Sequence, residues 1–316
     1  MRFVVDSAHG GYGWIERSRN HRMEIGDLWG KCGVVSETGE LKHVLLRRPG
    51  REVENIESPS DVLWTAKMDP EKARYQHDEL AYIYETLGVE VSYIEDNRAN
   101  SFPNIIYVRD IFTMTQQGAI ISRLASKVRS GEERIIQNEL SRMGIPIIAT
   151  AHDNMYLEGP DILLVNKDLV FIGVGLRTNN QAAKFIYELL KLQGYTDIII
   201  IQTTYGCGHL DGVINILNSK YAAIVPKRAS YEIYYNLKRH GFTIVDLNNI
   251  DEVDELMSIN FVSINEDTIV LNKGAVDTIS LYKSCGINCI EVDVSELMKG
   301  GGAVHCMTGI IRRECE

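Results

Sequence analysis

Nowhere in the 316-residue sequence does an apolar run approach the roughly 18 residues of a membrane span. The N-terminus opens on a short apolar stretch, Met1 to Val5, with no basic flank and no long apolar region, so no signal peptide is expected. Basic charge is scarce too. With 33 Lys and Arg against 43 Asp and Glu, the net charge of −10 argues against a nucleic-acid or anionic-membrane surface and modestly favours a cationic small substrate. Six cysteines occur (Cys32, Cys207, Cys285, Cys289, Cys306 and Cys315), none in a CxxC pair. They are too sparse for a disulfide framework and lack zinc-site spacing, so a cytoplasmic, reduced protein is expected, with room for one chemically special thiol. No GxGxxG or Walker motif follows a first strand.

What the sequence does have is a repeat. A helix-like stretch ending in glycine, followed by a β-branched apolar run, occurs five times. The runs are Gly88-Val-Glu-Val-Ser-Tyr-Ile, Gly144-Ile-Pro-Ile-Ile, Gly194-Tyr-Thr-Asp-Ile-Ile-Ile-Ile, Gly241-Phe-Thr-Ile-Val and Gly286-Ile-Asn-Cys-Ile-Glu-Val. Glycine takes the left-handed conformation that caps a last helical turn, and the chain then enters a strand. The preceding stretches carry a helical period, with Leu80, Ile83, Tyr84 and Leu87 on one face and Ala182, Phe185, Ile186 and Leu189 on another. Further short strands follow, such as Asp168-Leu-Val-Phe-Ile-Gly-Val and Asp267-Thr-Ile-Val-Leu. Two or three strands per helix exceed what a doubly wound βα alternation supplies. The expectation is a closed α/β propeller-like ring with helices outside and loops converging near the axis. Residues 1–36 precede the first unit and read as an irregular arm; residues 37–316 read as one catalytic domain.

Four of the five loops carry conspicuous polar groups: Asn104…Arg109-Asp110, Glu158-Gly-Pro-Asp161, His209-Leu-Asp211 and Gly300-Gly-Gly-Ala-Val-His305-Cys306. Each alone has an ordinary reading as surface pair, turn, hydrogen-bond pair or flexible loop. Their equivalent places in successive repeats make them a set. Cys306 can act as a thiolate nucleophile and His209 as general acid and base. Glycines ahead of the cysteine allow close backbone approach. Carboxylates at Asp110, Glu158, Asp161 and Asp211 would repel one another unless a cation sits among them, and a planar guanidinium suits them as a fork. A metal ion competes for such a site, but one histidine beside a thiol is a poor hard-oxygen site. No metal or organic cofactor is therefore expected.

The set resembles the guanidino-group-modifying enzyme superfamily, the five-bladed α/β-propellers called penteins, which includes arginine deiminases, dimethylargininases and amidinotransferases. The resemblance runs from Glu37 onward: Glu37-Thr-Gly-Glu-Leu-Lys-His-Val-Leu-Leu-Arg-Arg-Pro-Gly50 is similar to the opening strand of arginine deiminases, and Asn104-Ile-Ile-Tyr-Val-Arg-Asp110 to their Asn-x-x-x-x-Arg-Asp segment. Pro160 stands where they have glycine, and only about forty residues separate Trp64 from Asn104, where bacterial deiminases carry a helical insertion. The resemblance implies that Asp110 and Asp211 grip the guanidinium, that Glu158 orients His209, and that Cys306 forms a covalent amidino intermediate. It also implies that Asn104, Arg129 and Arg177 contact an α-carboxylate, pointing to a free amino acid such as arginine. Asp161 is grouped with the substrate-binding carboxylates. Hydrolysis of the deiminase or dihydrolase type is the expected reaction. His305-Cys306-Met-Thr308 before Arg312-Arg313 is also similar to amidinotransferases, so transfer of the amidino group to an amine is an alternative; a non-catalytic arginine sensor is another. No nucleic-acid or membrane partner is expected, and a homo-oligomer contact is left open.

Overall fold

Every helix that closes a repeat stops at a glycine with positive φ: 77° at Gly88, 72° at Gly144, 102° at Gly194, 84° at Gly241 and 81° at Gly286. An L side chain there would be strained, which is why the five runs begin as they do. The computed structural model describes residues 5–314; Met1 to Val4 of the N-terminal stretch, and Cys315 with Glu316, lie outside the described residues.

Each repeat folds into one blade of three strands and a helix. The second blade comprises strands Phe112–Thr115, Gly118–Ile121 and Ile147–Thr150, with helix Glu132–Arg142 between the last two. Its first two strands are antiparallel and its last two parallel. The third (Ile162–Leu164, Leu169–Val174, Asp197–Gln202), fourth (Ile214–Ile216, Tyr221–Ile224, Thr243–Asp246) and fifth (Val262–Asn265, Thr268–Asn272, Asn288–Val292) repeat the pattern. The first blade is assembled from both ends of the chain. Strand Glu40–Leu46 pairs parallel with Glu90–Tyr93 and antiparallel with the last strand, Gly309–Glu314, which closes the ring. The fold is the expected α/β propeller.

Helix Pro70–Thr86 and strand Glu90–Tyr93 fill the short interval between Trp64 and Asn104. Asp69 caps that helix by accepting from the Glu71 and Lys72 N–H groups, and Pro70 begins it, where its missing N–H costs nothing. Leu80 and Tyr84 of its apolar face are fully buried, with Ile83 and Leu87 packed at the edge. In helix Asn180–Leu192 the face is rotated slightly from expectation: Ala182, Ile186 and Leu190 are buried, while Phe185 and Leu189 are half-buried. Between blades, side chains such as Leu163, Phe171, Ile214 and Leu237, or Ala223, Val245, Ile269 and Tyr282, interlock. Each of the larger ones contributes on the order of 1.5–3 kcal/mol of apolar burial. No helix among the described residues is long and apolar enough to cross a membrane.

Because every blade starts its first strand at the same end, the residues just before those strands meet there. Turns Val108–Asp110, Gly159–Asp161 and Leu210–Gly212 pack on one another, and the short helix Val304–Met307 packs on the first of them. Upstream, Gly30 donates to the Gly144 carbonyl, Gly33 to Ile311 and Glu37 to Leu164, and Cys32 and Val34 are buried. Much of residues 5–23 is exposed, including Tyr12, Trp14 and Ile15.

Candidate active site

His209 immediately precedes the turn Leu210–Gly212, and its Nε2 donates to Glu158 Oε2 at 2.7 Å. Glu158, wholly buried, also accepts from the Ala125 N–H at 3.1 Å and from Arg177 Nη1 at 3.1 Å. Burial pushes its carboxyl up, but the His209 bond and charge, with Arg129 and Arg177, bring it down to about 2. Burial lowers His209, yet Asp110, Glu158 and Asp161 outweigh that and hold the imidazole up to about 10. These carboxylates favour the protonated imidazolium at neutral pH.

Asp110 and Asp211 are both buried. Arg129 Nη1 donates to Asp110 Oδ2, while Asp110 Oδ1 has no hydrogen-bond partner among the described residues. A buried acceptor in that state is favourable only with a donor brought to it. Asp211 Oδ2 accepts from His305 Nδ1 at 2.8 Å, and His305 together with the His209 and Arg109 charges keeps Asp211 below its usual range against the upward push of burial. Cys306 follows directly. Burial pushes its thiol well up, and the Asp211 and Asp110 carboxylates push it further. An anionic sulfur among these carboxylates therefore requires a cation beside it.

The other expected residues are placed differently from one another. Asp161 Oδ1 accepts from the Leu210 N–H at 2.9 Å, so this carboxylate anchors the loop carrying His209 and Asp211; burial raises it to about 6. Asn104 uses both ends of its amide in the scaffold, accepting from Trp64 Nε1 and donating to the Val62 carbonyl, each at 2.8 Å. Arg129 is 3% exposed and engages Asp110, both oxygens of Glu132 and the Asn104 carbonyl. Arg177, with 21% of its side chain exposed, is the cation of the set that reaches the surface. Pro160 sits in the first turn of Gly159–Asp161, a position that tolerates proline.

Several contributions are not read from the sequence, where Arg109 stands only within the Asn104…Arg109-Asp110 loop and Tyr107 and Asn260 are given no role. Arg109 turns away from Asp110 to pair with Glu37 at 2.7 Å. Tyr107 donates to the Leu297 carbonyl at 2.7 Å and is bonded by the Gly302 backbone N–H, pinning the glycine run ahead of Cys306. Asn260 lies against the Cys306 sulfur. It was legible in principle, standing two residues before the fifth blade's first strand, as Asp110 stands before the second's. The glycines have a steric reason. A Cβ on Gly302 would lie 2.7 Å from the Tyr107 ring and 2.8 Å from Cys306 Cβ. Gly302→Ala is expected to displace Cys306 and lower kcat/KM by about 100-fold or more, with roughly 1–3 kcal/mol of destabilisation, read from kinetics and thermal melts.

Asp110, Glu158 and His209 each offer a ligand atom within 4.8 Å of the others, a geometry that could hold a metal ion. Arg129 and Arg177 already set their charges against Asp110 and Glu158, which weakens the attraction for a divalent cation. A cleft of about 830 Å³ lies among the hairpin turns at the opposite end of the ring, and no candidate catalytic residue lines it.

A pentein ring with this set of residues defines a guanidino-group-modifying enzyme. Residues 60–313 match the family described as N,N dimethylarginine dimethylhydrolase, eukaryotic, and the chain belongs to that family. Among curated relatives it is 28% identical over 244 residues to an N(G),N(G)-dimethylarginine dimethylaminohydrolase of Mycobacterium tuberculosis, covering 77% of each chain. Its fold is shared with the dimethylarginine dimethylaminohydrolase of Pseudomonas aeruginosa complexed with citrulline, at TM-score 0.73 and 24% identity over 87% of this chain and 100% of that one. It is shared equally with SxtG, an amidinotransferase from Microseira wollei, at TM-score 0.73 and 16% identity over 90% and 98%.

Proposed function

We propose that the chain hydrolyses the guanidinium group of arginine or a close analogue, with Cys306 as nucleophile. The observation that carries this is the convergence, at one end of the ring, of the Cys306 thiol, the His209–Glu158 pair and the Asp110 and Asp211 carboxylates. A guanidinium entering between the two aspartates donates to both and supplies the positive charge that the sulfur lacks. As the guanidinium binds, the Cys306 thiol gives up its proton to solvent, and the sulfur then bonds the guanidinium carbon. The bond to one terminal nitrogen breaks, and His209 gives that nitrogen its proton, releasing ammonia. Water, deprotonated by the now neutral His209, attacks the same carbon; the carbon–sulfur bond breaks and citrulline leaves. A dihydrolase would repeat the cycle on citrulline, releasing a second ammonia and a carbamate that loses CO2 to leave ornithine.

Two buried aspartates favour a substrate with N–H donors on both terminal nitrogens. N,N-dimethylation removes both donors from one of them and would leave a buried carboxylate unpaired, at a cost of roughly 1–3 kcal/mol. Arginine is therefore preferred over its dimethylated form, although the family's name comes from the latter. Arg177, at the rim, is the group best placed for the α-carboxylate; Arg129 and Asn104 serve by holding Asp110 and its segment. A reducing, cytoplasmic setting suits a free nucleophilic thiol, and all five cysteines among the described residues are free.

The shared fold with an amidinotransferase and the His305-Cys306-Met-Thr308 ending support a second reading, in which an amine replaces water. Mass spectrometry of products from arginine and N,N-dimethylarginine, with and without glycine or lysine, separates these. Citrulline and ammonia without an amine, faster from arginine, are expected. Ornithine formed only when an amine is added would overturn the hydrolytic reading, and binding of arginine with no product would indicate a sensor.

A further inference from the structure

We infer that Asn260 is a positioning residue for the nucleophile, orienting the backbone that carries Cys306 and donating a hydrogen bond to its sulfur; this rests on the reading of Cys306 as the nucleophile. Asn260 is 7% exposed. Its Oδ1 accepts from the backbone N–H of His305 at 2.9 Å and of Cys306 at 3.3 Å. With both those donors on one side, the orientation of the amide is dictated, and Nδ2 must face Cys306 Sγ, 3.1 Å away.

The loop holding Asn260 is itself fixed. Asn215 of the fourth blade donates to the Ile259 and Phe261 carbonyls at 3.0 and 2.9 Å, bracketing Asn260 on both sides. The turn below it runs through Met257, whose φ of 49° is unusual for a residue other than glycine, and the Asn260 N–H closes it onto the Met257 carbonyl at 2.8 Å. Such a conformation persists only where its surroundings over-determine it. His305, clamped through its N–H by Asn260, bonds Asp211 through its ring. One amide thereby sets the sulfur in register with a carboxylate of the guanidinium clamp.

The chemistry follows from what else surrounds the sulfur. The Asp211 and Asp110 carboxylates act on it and both oppose its ionisation, and the buried Tyr107 hydroxyl is a neutral neighbour on which the sulfur acts in turn. The Asn260 amide is a neutral donor that favours the thiolate before substrate arrives and holds it aimed as the carbon–sulfur bond forms.

The test uses the rate of iodoacetamide alkylation at the Cys306 peptide as a function of pH, which needs no turnover, together with kcat and KM. Asn260→Ala removes both bonds; Asn260→Asp keeps the acceptor for the two backbone N–H groups and puts a carboxylate oxygen in place of the donor. Both variants are expected to alkylate about tenfold more slowly than the parent at fixed pH below the thiol pKa, with kcat lowered and KM little changed. An Asn260→Asp protein alkylating at the parent rate across the pH series would overturn the donor role, since a purely structural clamp survives in that variant. Intact mass under turnover tests the other premise separately: absence of an adduct on Cys306 removes the nucleophile, whatever the alkylation series shows.

Discussion

Cys306→Ser is expected to lower turnover by a factor on the order of 10⁴ or more while arginine still binds. The thiol is already held well above its ordinary range by burial and by Asp211 and Asp110, the Asn260 hydrogen bond offsets this only in part, and a bound cation opposes both carboxylates. A serine hydroxyl ionises far less readily in the same surroundings, and His209, held up to about 10 and so protonated, is no base for it at neutral pH. In the proposed mechanism binding draws on Asp110 and Asp211, which the substitution leaves in place. Isothermal titration with arginine reads the retained binding, and citrulline quantified by mass spectrometry reads the lost turnover. Acid-quenched wild-type protein under turnover should show an added mass on the Cys306 peptide and the serine variant none. Full turnover by Cys306→Ser would end the covalent mechanism.

The second large effect is expected at Arg129, through stability as well as rate. Arg129→Ala leaves the Asp110 and Glu132 carboxylates buried without their shared cation, and breaking a buried pair from one side costs about 3–5 kcal/mol. For a chain of this size that corresponds to a fall in Tm of roughly 5–8 °C. Burial already pushes Glu132 up to about 7 against the pull of Arg129, so it will protonate when the arginine is gone; Asp110, beside Glu158, then loses the group that orients it. Arg129→Met combined with Glu132→Gln, which removes both charges of the deeper pair, should regain much of the stability and little of the activity. Differential scanning calorimetry alongside kinetics separates the two losses. An Arg129→Ala protein with unchanged Tm would mean that the pair is not what holds Asp110.

Pro160 and Asp161 show how a motif can be legible while its work is not. The Glu-Gly-Pro-Asp segment stood out as a carboxylate pair for a cation, yet only Glu158 bonds His209; Asp161 turns to the Leu210 N–H. Both residues sit in the same turn, and a side chain's direction out of a turn depends on which neighbouring blade packs against it. Asn104 and Arg129 behave alike in this respect. The resemblance to arginine deiminases implied that they contact a carboxylate, and in the fold the tertiary neighbours Trp64 and Glu132 engage their polar groups.

By itself the sequence determined the five-unit pattern, because helix period, terminal glycine and β-branched run are local signals that need only a few residues each. It also determined which loops carry reactive groups, with Cys306, His209 and Asp110 at matching places in the repeat. Closure of the ring was beyond it: the pairing of Glu40–Leu46 with Gly309–Glu314 joins opposite ends of the chain, and strand pairing leaves no local trace of its partner. Tertiary structure alone decided which polar groups meet across blades, since hydrogen bonds such as Asn260 to Cys306 and His305 to Asp211 depend on side-chain direction at contacts distant in sequence.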